Sequence, residues 1–314
     1  MLNKRELVLS LLDGSKIPEY IPAAFFLHFD PAYHQGQTAI DKHLEYFHYT
    51  GMDFVKIQYE HSFPHLPWIQ RPEDWGKMPL YKKDFFEAPL QVVEGLVKAV
   101  KKEALVITTL YSPFMCAGQV TSGKTITDHI QENPAKVKKG MEMITESLMT
   151  FVQGCIDLGV DGFYHSTQGG EAHRFLNTTL FDEVVKPYDL ALMNFINQSC
   201  LFNILHVCDY NGVYRDLTPF LDYPGHIVNC GLQLEEKKIS PKEVSHLFGR
   251  PYMGGLNRKG TITTGSKEDI RKVVMDVLKD APERFILGAD CTVPSEIDWD
   301  NLRIAIDTAH EYRE

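Results

Sequence analysis

A single (β/α)8 barrel, the TIM-barrel class, is the fold this chain predicts. Three observations point to it. Short apolar runs alternate with longer segments of helical spacing, which implies right-handed βαβ units and a parallel sheet. The apolar runs number eight, and eight units in somewhat over ~250 residues is the size of such a barrel. No Gly-x-Gly-x-x-Gly fingerprint follows the first run, which argues against the doubly wound open sheet that the same alternation would allow. Neither a low-complexity linker nor a charge block divides the chain, so the expected domain covers residues 1–314.

The elements follow in order. Residues 2–12 have helical spacing and stop at Asp13-Gly14. The first apolar run, 21–29, is the expected first strand. A helix over 40–49 leads to the second strand, 53–59. Residues 61–83, rich in Pro, Trp and other aromatics, read as a long loop over a strand end, with Trp68 and Trp75 as candidate lid residues. The helix at 90–102 ends in Lys101-Lys102, where cations suit the dipole. The third strand, 105–111, is β-branched. A loop at 113–125 and a long helix at 134–158 lead to the fourth strand, 159–166. A helix over 180–200 precedes the fifth strand at 202–208, and the sixth follows at 226–230. A short helix at 241–247, a seventh strand at 251–256, a helix at 267–279, an eighth strand at 284–290 and a closing helix at 299–312 complete the pattern.

Composition narrows the class. At 44% hydrophobic and 24% charged, the chain is an ordinary globular protein. No apolar run approaches the ~20 residues of a membrane helix. The first residues begin an amphipathic helix and lack a signal-peptide core, so a cytoplasmic location is expected. The net charge of −10 argues against nucleic-acid binding, which calls for a basic stripe. Six cysteines in 314 residues are too few for a disulfide scaffold, and reduced thiols are expected.

The chemistry gathers at the C-terminal ends of the strands, where a barrel carries its active site. His206 and Cys208 lie two apart on the fifth strand and project to one face. Cys291 sits just past the eighth. If these strands share a sheet, one imidazole and two thiolates converge. That set suits zinc and leaves a coordination position open for chemistry. Asp290, Glu60 and Glu171 are the unranked candidates to fill it at rest. A thiol entering the open position becomes a nucleophile at neutral pH. The alternative is a buried strand histidine with two packing cysteines. Around this cluster, Tyr59, Glu60 and His165 are the candidate catalytic residues, and Gln168, Asn229 and Asn257 the candidate cofactor-binding residues. Cys116, Cys155, Cys200 and Cys230 read as packing residues.

Three segments carry a family likeness: Gly159-Val160-Asp161-Gly162-Phe163, Ile204-Leu205-His206-Val207-Cys208, and Arg284-Phe285-Ile286-Leu287-Gly288-Ala289-Asp290-Cys291-Thr292-Val293-Pro294 with Asn301-Leu302-Arg303. On these the chain resembles the uroporphyrinogen decarboxylase superfamily over nearly its full length, which implies a (β/α)8 barrel. True decarboxylases carry Arg-Gln-Ala-Gly-Arg after the first strand, whereas Leu27-His28-Phe29-Asp30-Pro31 stands here. Their aspartate after the second strand is not evident in Ile57-Gln58-Tyr59-Glu60. An anionic substrate facing Asp30 and Glu60 would be repelled.

The other branch, similar to methylcobamide:coenzyme M methyltransferase, uses His-x-Cys after the fifth strand and Cys after the eighth as zinc ligands. His206, Cys208 and Cys291 match these positions. The resemblance therefore implies methyl transfer between a corrinoid (methylcobalamin) and a thiol or similar small-molecule acceptor. No corrinoid-binding Asp-x-His-x-x-Gly occurs in the chain, so the corrinoid would sit on a partner protein. Decarboxylase relatives often pair, which leaves a homodimer open. The competing expectation is a decarboxylase of a tetrapyrrole or other carboxylated substrate. It calls for no metal and for clustered arginines, for which Arg71, Arg174, Arg215 and Arg258 are available. A binding protein without turnover is the third.

Overall fold

Buried on both faces, the apolar runs after the first become strands, as a parallel sheet covered by helices requires. The computed structural model describes residues 3–14 and 18–313. Its strands are β1 (Phe54–Ile57), β2 (Leu105–Tyr111), β3 (Gly162–Thr167), β4 (Ile204–Val207), β5 (Ile227–Cys230), β6 (Tyr252–Leu256) and β7 (Phe285–Ala289). They form one seven-stranded sheet in sequence order, each pair parallel. The helices are α1 (Lys4–Asp13), α2 (Gly36–Thr50), α3 (Glu87–Val100), α4 (Pro113–Val120), α5 (Gly123–Glu132), α6 (Pro134–Leu158), α7 (Lys186–Ser199), α8 (Pro241–Phe248), α9 (Thr261–Thr264), α10 (Lys267–Lys279) and α11 (Trp299–Glu311). None of the described helices is long and apolar enough to cross a membrane.

The sheet therefore has seven strands where eight were expected. Among residues 21–29 only Ala23 forms a bridge, to Leu287 of β7. Pro22 has no N–H to give to a ladder, and the N–H of Ala23 donates to the Asp53 carboxylate at 2.8 Å. The segment still joins both sheet edges. Leu287 N donates to Pro22 O (2.8 Å), Ala24 N to Leu287 O (3.0 Å), and Asp53 N to Ala23 O (3.0 Å). The result is a curled, TIM-like α/β sheet.

Helix boundaries follow local chemistry. In α1, Asn3 and Glu6 form a reciprocal capping box; Leu2, the expected next residue upstream, lies outside the described residues. Residues 113–125, expected as a loop, are instead α4 and the start of α5. Ser112 caps α4 by accepting from Met115 N, and Pro113 occupies its first turn. The expected helix at 180–200 opens with a π turn, Phe181–Val185, before α7. Gly159 ends α6 at φ 89°, a left-handed conformation that favours glycine. A side chain at Gly162 would meet the Phe202 carbonyl oxygen at 1.6 Å, so only glycine lets β3 pass the segment before β4.

Two aspartates pin the N-terminal ends of the strands. Asp161 accepts both arms of Arg5 at 2.6 Å, and Asp53 accepts from Tyr20 (2.9 Å) and His310 (2.8 Å). The polar groups that remain available lie at the opposite ends.

Candidate metal centre and cavity

His206 is the penultimate residue of β4, Cys208 directly follows the strand, and Cys291 lies two past β7. Cys208 Sγ and Cys291 Sγ are 3.9 Å apart, and all three side chains offer ligand atoms within 4.8 Å of one another. Two sulfurs on a tetrahedral zinc, each at about 2.3 Å, lie about 3.8 Å apart. Both His206 ring nitrogens are buried and have no hydrogen-bond partner. That is a costly state for an imidazole unless something else satisfies it. This donor set could hold a metal ion.

The two thiols are electrostatically coupled. The hydrogen bond from Cys208 lowers Cys291 well below the usual thiol range, with His206 and Arg258 adding to the effect. The same contact, and then burial, raise Cys208. Neighbours hold the cluster in place. Tyr164 stacks on His206 at 4.8 Å, and its hydroxyl donates to Asn229 Oδ1 at 2.6 Å. Gln168 Nε2 donates to Cys208 Sγ at 3.3 Å, and Asn211 orients Gln168 through its Oε1 at 2.8 Å.

The cluster lies in the wall of a cavity of about 460 Å³. Glu60 and Gln168 also line it, as does Tyr59. Glu60 holds His28 Nδ1 at 2.9 Å. The Tyr59 hydroxyl is buried without a partner, and burial keeps the phenol protonated far above neutrality. The other expected site residues lie elsewhere. Asn229 is fully buried, accepting from Tyr164 and donating to Met253 O (2.9 Å) and Ala289 O (3.0 Å). It braces the strands instead of facing a ligand. Asn257 is exposed and accepts from Lys259 N at 2.8 Å, beside a separate cleft of about 450 Å³. His165 lies between cavity-lining Tyr164 and Ser166 and so points to the opposite face of β3.

None of the three carboxylates considered for the fourth metal position reaches the cluster. Glu171 is bound by Arg174 at 2.7 and 2.9 Å, Asp290 by Arg258, and Glu60 by His28. Of the four arginines considered for a decarboxylase pocket, only Arg174 lines the cavity. Trp75, a candidate lid residue, is entirely buried and donates to His129 at 3.0 Å. Trp68 is 41% exposed. All six cysteines are free and buried.

Lys56 was not singled out from the sequence. Its signal is a lysine inside the apolar run Phe54-Val55-Lys56-Ile57. It is 6% exposed, lines the cavity and donates to Gln58 Oε1 (2.5 Å) and Thr109 Oγ1 (3.0 Å). Burial lowers its pKa to about 7, against the opposing pull of Cys291 and Glu60.

Two buried imidazoles set an acid limit on the fold. His43 Nε2 accepts from Gln58 N at 3.1 Å while its Nδ1 donates to Ala39 O at 2.8 Å, so the ring is neutral. Burial lowers His43 to about 4, and burial with nearby His206 lowers His165 to about 3. Unfolding restores both to ordinary values, so the unfolded chain binds more protons below about pH 6.5. Stability is full above that pH and falls as pH drops toward the folded values. Urea titrations are expected to lose roughly 2–3 kcal/mol per imidazole by about pH 4.5. His43→Gln is expected to remove one proton from the slope, and a flat profile in the native protein would refute the assignment.

Residues 48–312 match the family model described as Uroporphyrinogen decarboxylase (URO-D). A TIM-like barrel with a buried His-Cys-Cys group at its mouth is the class of protein that the fold and geometry define. Within that class, the chain belongs to the uroporphyrinogen decarboxylase family. No curated protein matches its sequence. A methyltransferase from Methanosarcina mazei has a similar fold, with TM-score 0.75, 13% identity and 99% coverage of each chain. A B12-independent methionine synthase from Shewanella sp. W3-18-1, in complex with selenomethionine, reaches TM-score 0.60 at 14% identity, covering 93% of this chain and 97% of that one. An endo-1,4-beta-mannanase from Rhizomucor miehei reaches 0.52 at 11% identity, covering 94% and 95%. At these identities the likeness is one of fold.

Proposed function

We propose that the chain is a zinc-dependent methyltransferase that moves a methyl group between a corrinoid on a partner protein and a thiol or similar small-molecule acceptor. The observation that carries this reading is the pair of sulfurs 3.9 Å apart beside an imidazole with both nitrogens unpartnered, all in the cavity wall. His206, Cys208 and Cys291 would hold the ion. When bound, zinc would make a thiol in its fourth position acidic and so supply a thiolate at neutral pH.

The chain's own residues do the rest. Tyr164 and Asn229 fix the plane of the imidazole, and the Gln168 amide donates to Cys208 sulfur, fixing the direction of its lone pairs. With no carboxylate in the cluster, its remaining side is free for an acceptor from the cavity. The solved structures with this fold include a methyltransferase and a methionine synthase, in keeping with the reading.

The alternative, decarboxylation of a tetrapyrrole or related substrate bearing several carboxylates, needs a cluster of arginines free to grip them, and one lysine, Lys56, does not supply it. Arg174 is tied to Glu171, and Arg71 and Arg215 are exposed. One experiment separates the two. Purified protein is expected to carry about one zinc per chain, as a three-ligand site implies, and to methylate a small thiol from methylcobalamin. Metal-free protein that decarboxylates a porphyrinogen at full rate would end the proposal.

A further inference from the structure

Lys56 is buried on a strand with its ammonium directed at neutral groups. Its hydrogen-bond partners among the described residues are the Gln58 carbonyl and the Thr109 hydroxyl, and its other close neighbours are the ring faces of Phe26 (4.7 Å) and Tyr164 (5.0 Å). No carboxylate is paired with it among the described residues. Cys291 and Glu60 pull on the ammonium without forming a hydrogen bond or ion pair with it. A buried charge without a directly paired counter-ion is costly, so this arrangement suits a site whose counter-ion arrives with a ligand.

The surroundings are rich in donors. Two of the three ammonium hydrogens are taken by Gln58 and Thr109, leaving one free. The Tyr111 hydroxyl accepts from Gln58 Nε2 at 3.2 Å and keeps its own hydrogen to give. Ser166 adds a further hydroxyl to the cavity wall. Lys56, Tyr111 and Ser166 project from three adjacent strands, β1, β2 and β3, into the same cavity as the metal cluster. Tyr164 links the two sites, with Lys56 over its ring at 5.0 Å and His206 stacked on it at 4.8 Å.

We infer that Lys56, with Tyr111 and Ser166, forms an anion subsite that anchors the negatively charged end of the small-molecule substrate, a carboxylate or an oxyanion of similar size. This rests on the proposal that the cavity is the substrate site. It adds that the substrate is an acid whose reacting end reaches the cluster while its charged end lies against Lys56. Glu60 lines the same cavity, but its carboxylate is engaged by His28 and makes no hydrogen bond to Lys56. Lys56 would be a specificity-determining residue, since a neutral analogue would leave its ammonium buried and unpaired.

The test uses two thioethers that differ in charge and need no metal to be measured. Isothermal titration of 3-methylthiopropanoate and of its neutral alcohol analogue, 3-methylthiopropanol, is run on the native protein and on Lys56→Gln. The acid is expected to bind at least tenfold more tightly than the alcohol to the native protein, and the two about equally to Lys56→Gln. Equal binding of both to the native protein would overturn the inference, and it needs no variant to fold. A preference that persists in Lys56→Gln would overturn it as well. Metal content is measured on the same samples. Metal without the charge preference sinks the anion subsite and leaves the methyltransferase reading standing, whereas the preference without metal does the reverse.

Discussion

Cys208→Ser and Cys291→Ser are each expected to reduce bound zinc from about one ion per chain to a small fraction of that, and to lower the proposed methyl transfer to a thiol by roughly a thousandfold or more. The size of the effect follows from the donor set. A hydroxyl replaces a thiolate in a three-residue site, and no carboxylate within reach compensates. The two variants are expected to behave alike because the sulfurs face each other at 3.9 Å and each supplies one of the three donors. Cys155→Ala is the control. Its thiol is buried on α6, where burial raises its pKa well above the ordinary value, and metal content there should be unchanged. Metal analysis beside a thermal melt checks the prediction. A folded Cys208→Ser that keeps a full complement of zinc would remove the metal centre from the argument.

The His-Cys-Cys cluster could be read from the chain because two of its three candidate ligands obey a strand's alternation. His206 and Cys208 share a face whatever the rest of the fold does, and Cys291 follows a short apolar run that reads as a buried strand. What could not be read depends on contacts from across the sheet. Asn229 occupies a strand-end position like a ligand-binding residue, yet Tyr164, Met253 and Ala289 engage its whole amide. Lys56 looked like one polar residue in a strand until the structure set it in the cavity with only neutral partners. The first apolar run had strand composition, but Pro22 and the Asp53 carboxylate removed the donors that a ladder needs. The helix α4 was legible in principle, since Ser112-Pro113 is a start signal. Its eight residues were short enough to pass for a loop.

Arg258→Leu is expected to weaken zinc binding by about 10–100-fold and to destabilise the fold by about 3 kcal/mol or more. Arg258 touches neither sulfur in any hydrogen bond, so the effect would run through its neighbours. Its Nη1 donates to Asp209 Oδ1 at 2.7 Å and lies 3.3 Å from Asp290 Oδ1, while its backbone N–H donates to Asp290 at 2.9 Å. Asp209 follows Cys208 in the chain, and Asp290 precedes Cys291. One guanidinium therefore ties together the two loops that carry the sulfurs, and its charge lowers Cys291. Leucine leaves two carboxylates, each less than a fifth exposed, without the cation between them. Burial already raises Asp290, so one carboxylate would take up a proton and the loops would lose their brace. Arg258→Lys keeps the charge but not the fork, and its zinc affinity should fall between the two. Affinity is read by competition with a chelator at a temperature where each variant remains folded. A destabilised Arg258→Leu with native affinity would make Arg258 a structural tie alone, whereas a loss of affinity graded from Arg to Lys to Leu would establish it as the residue that positions the thiolates.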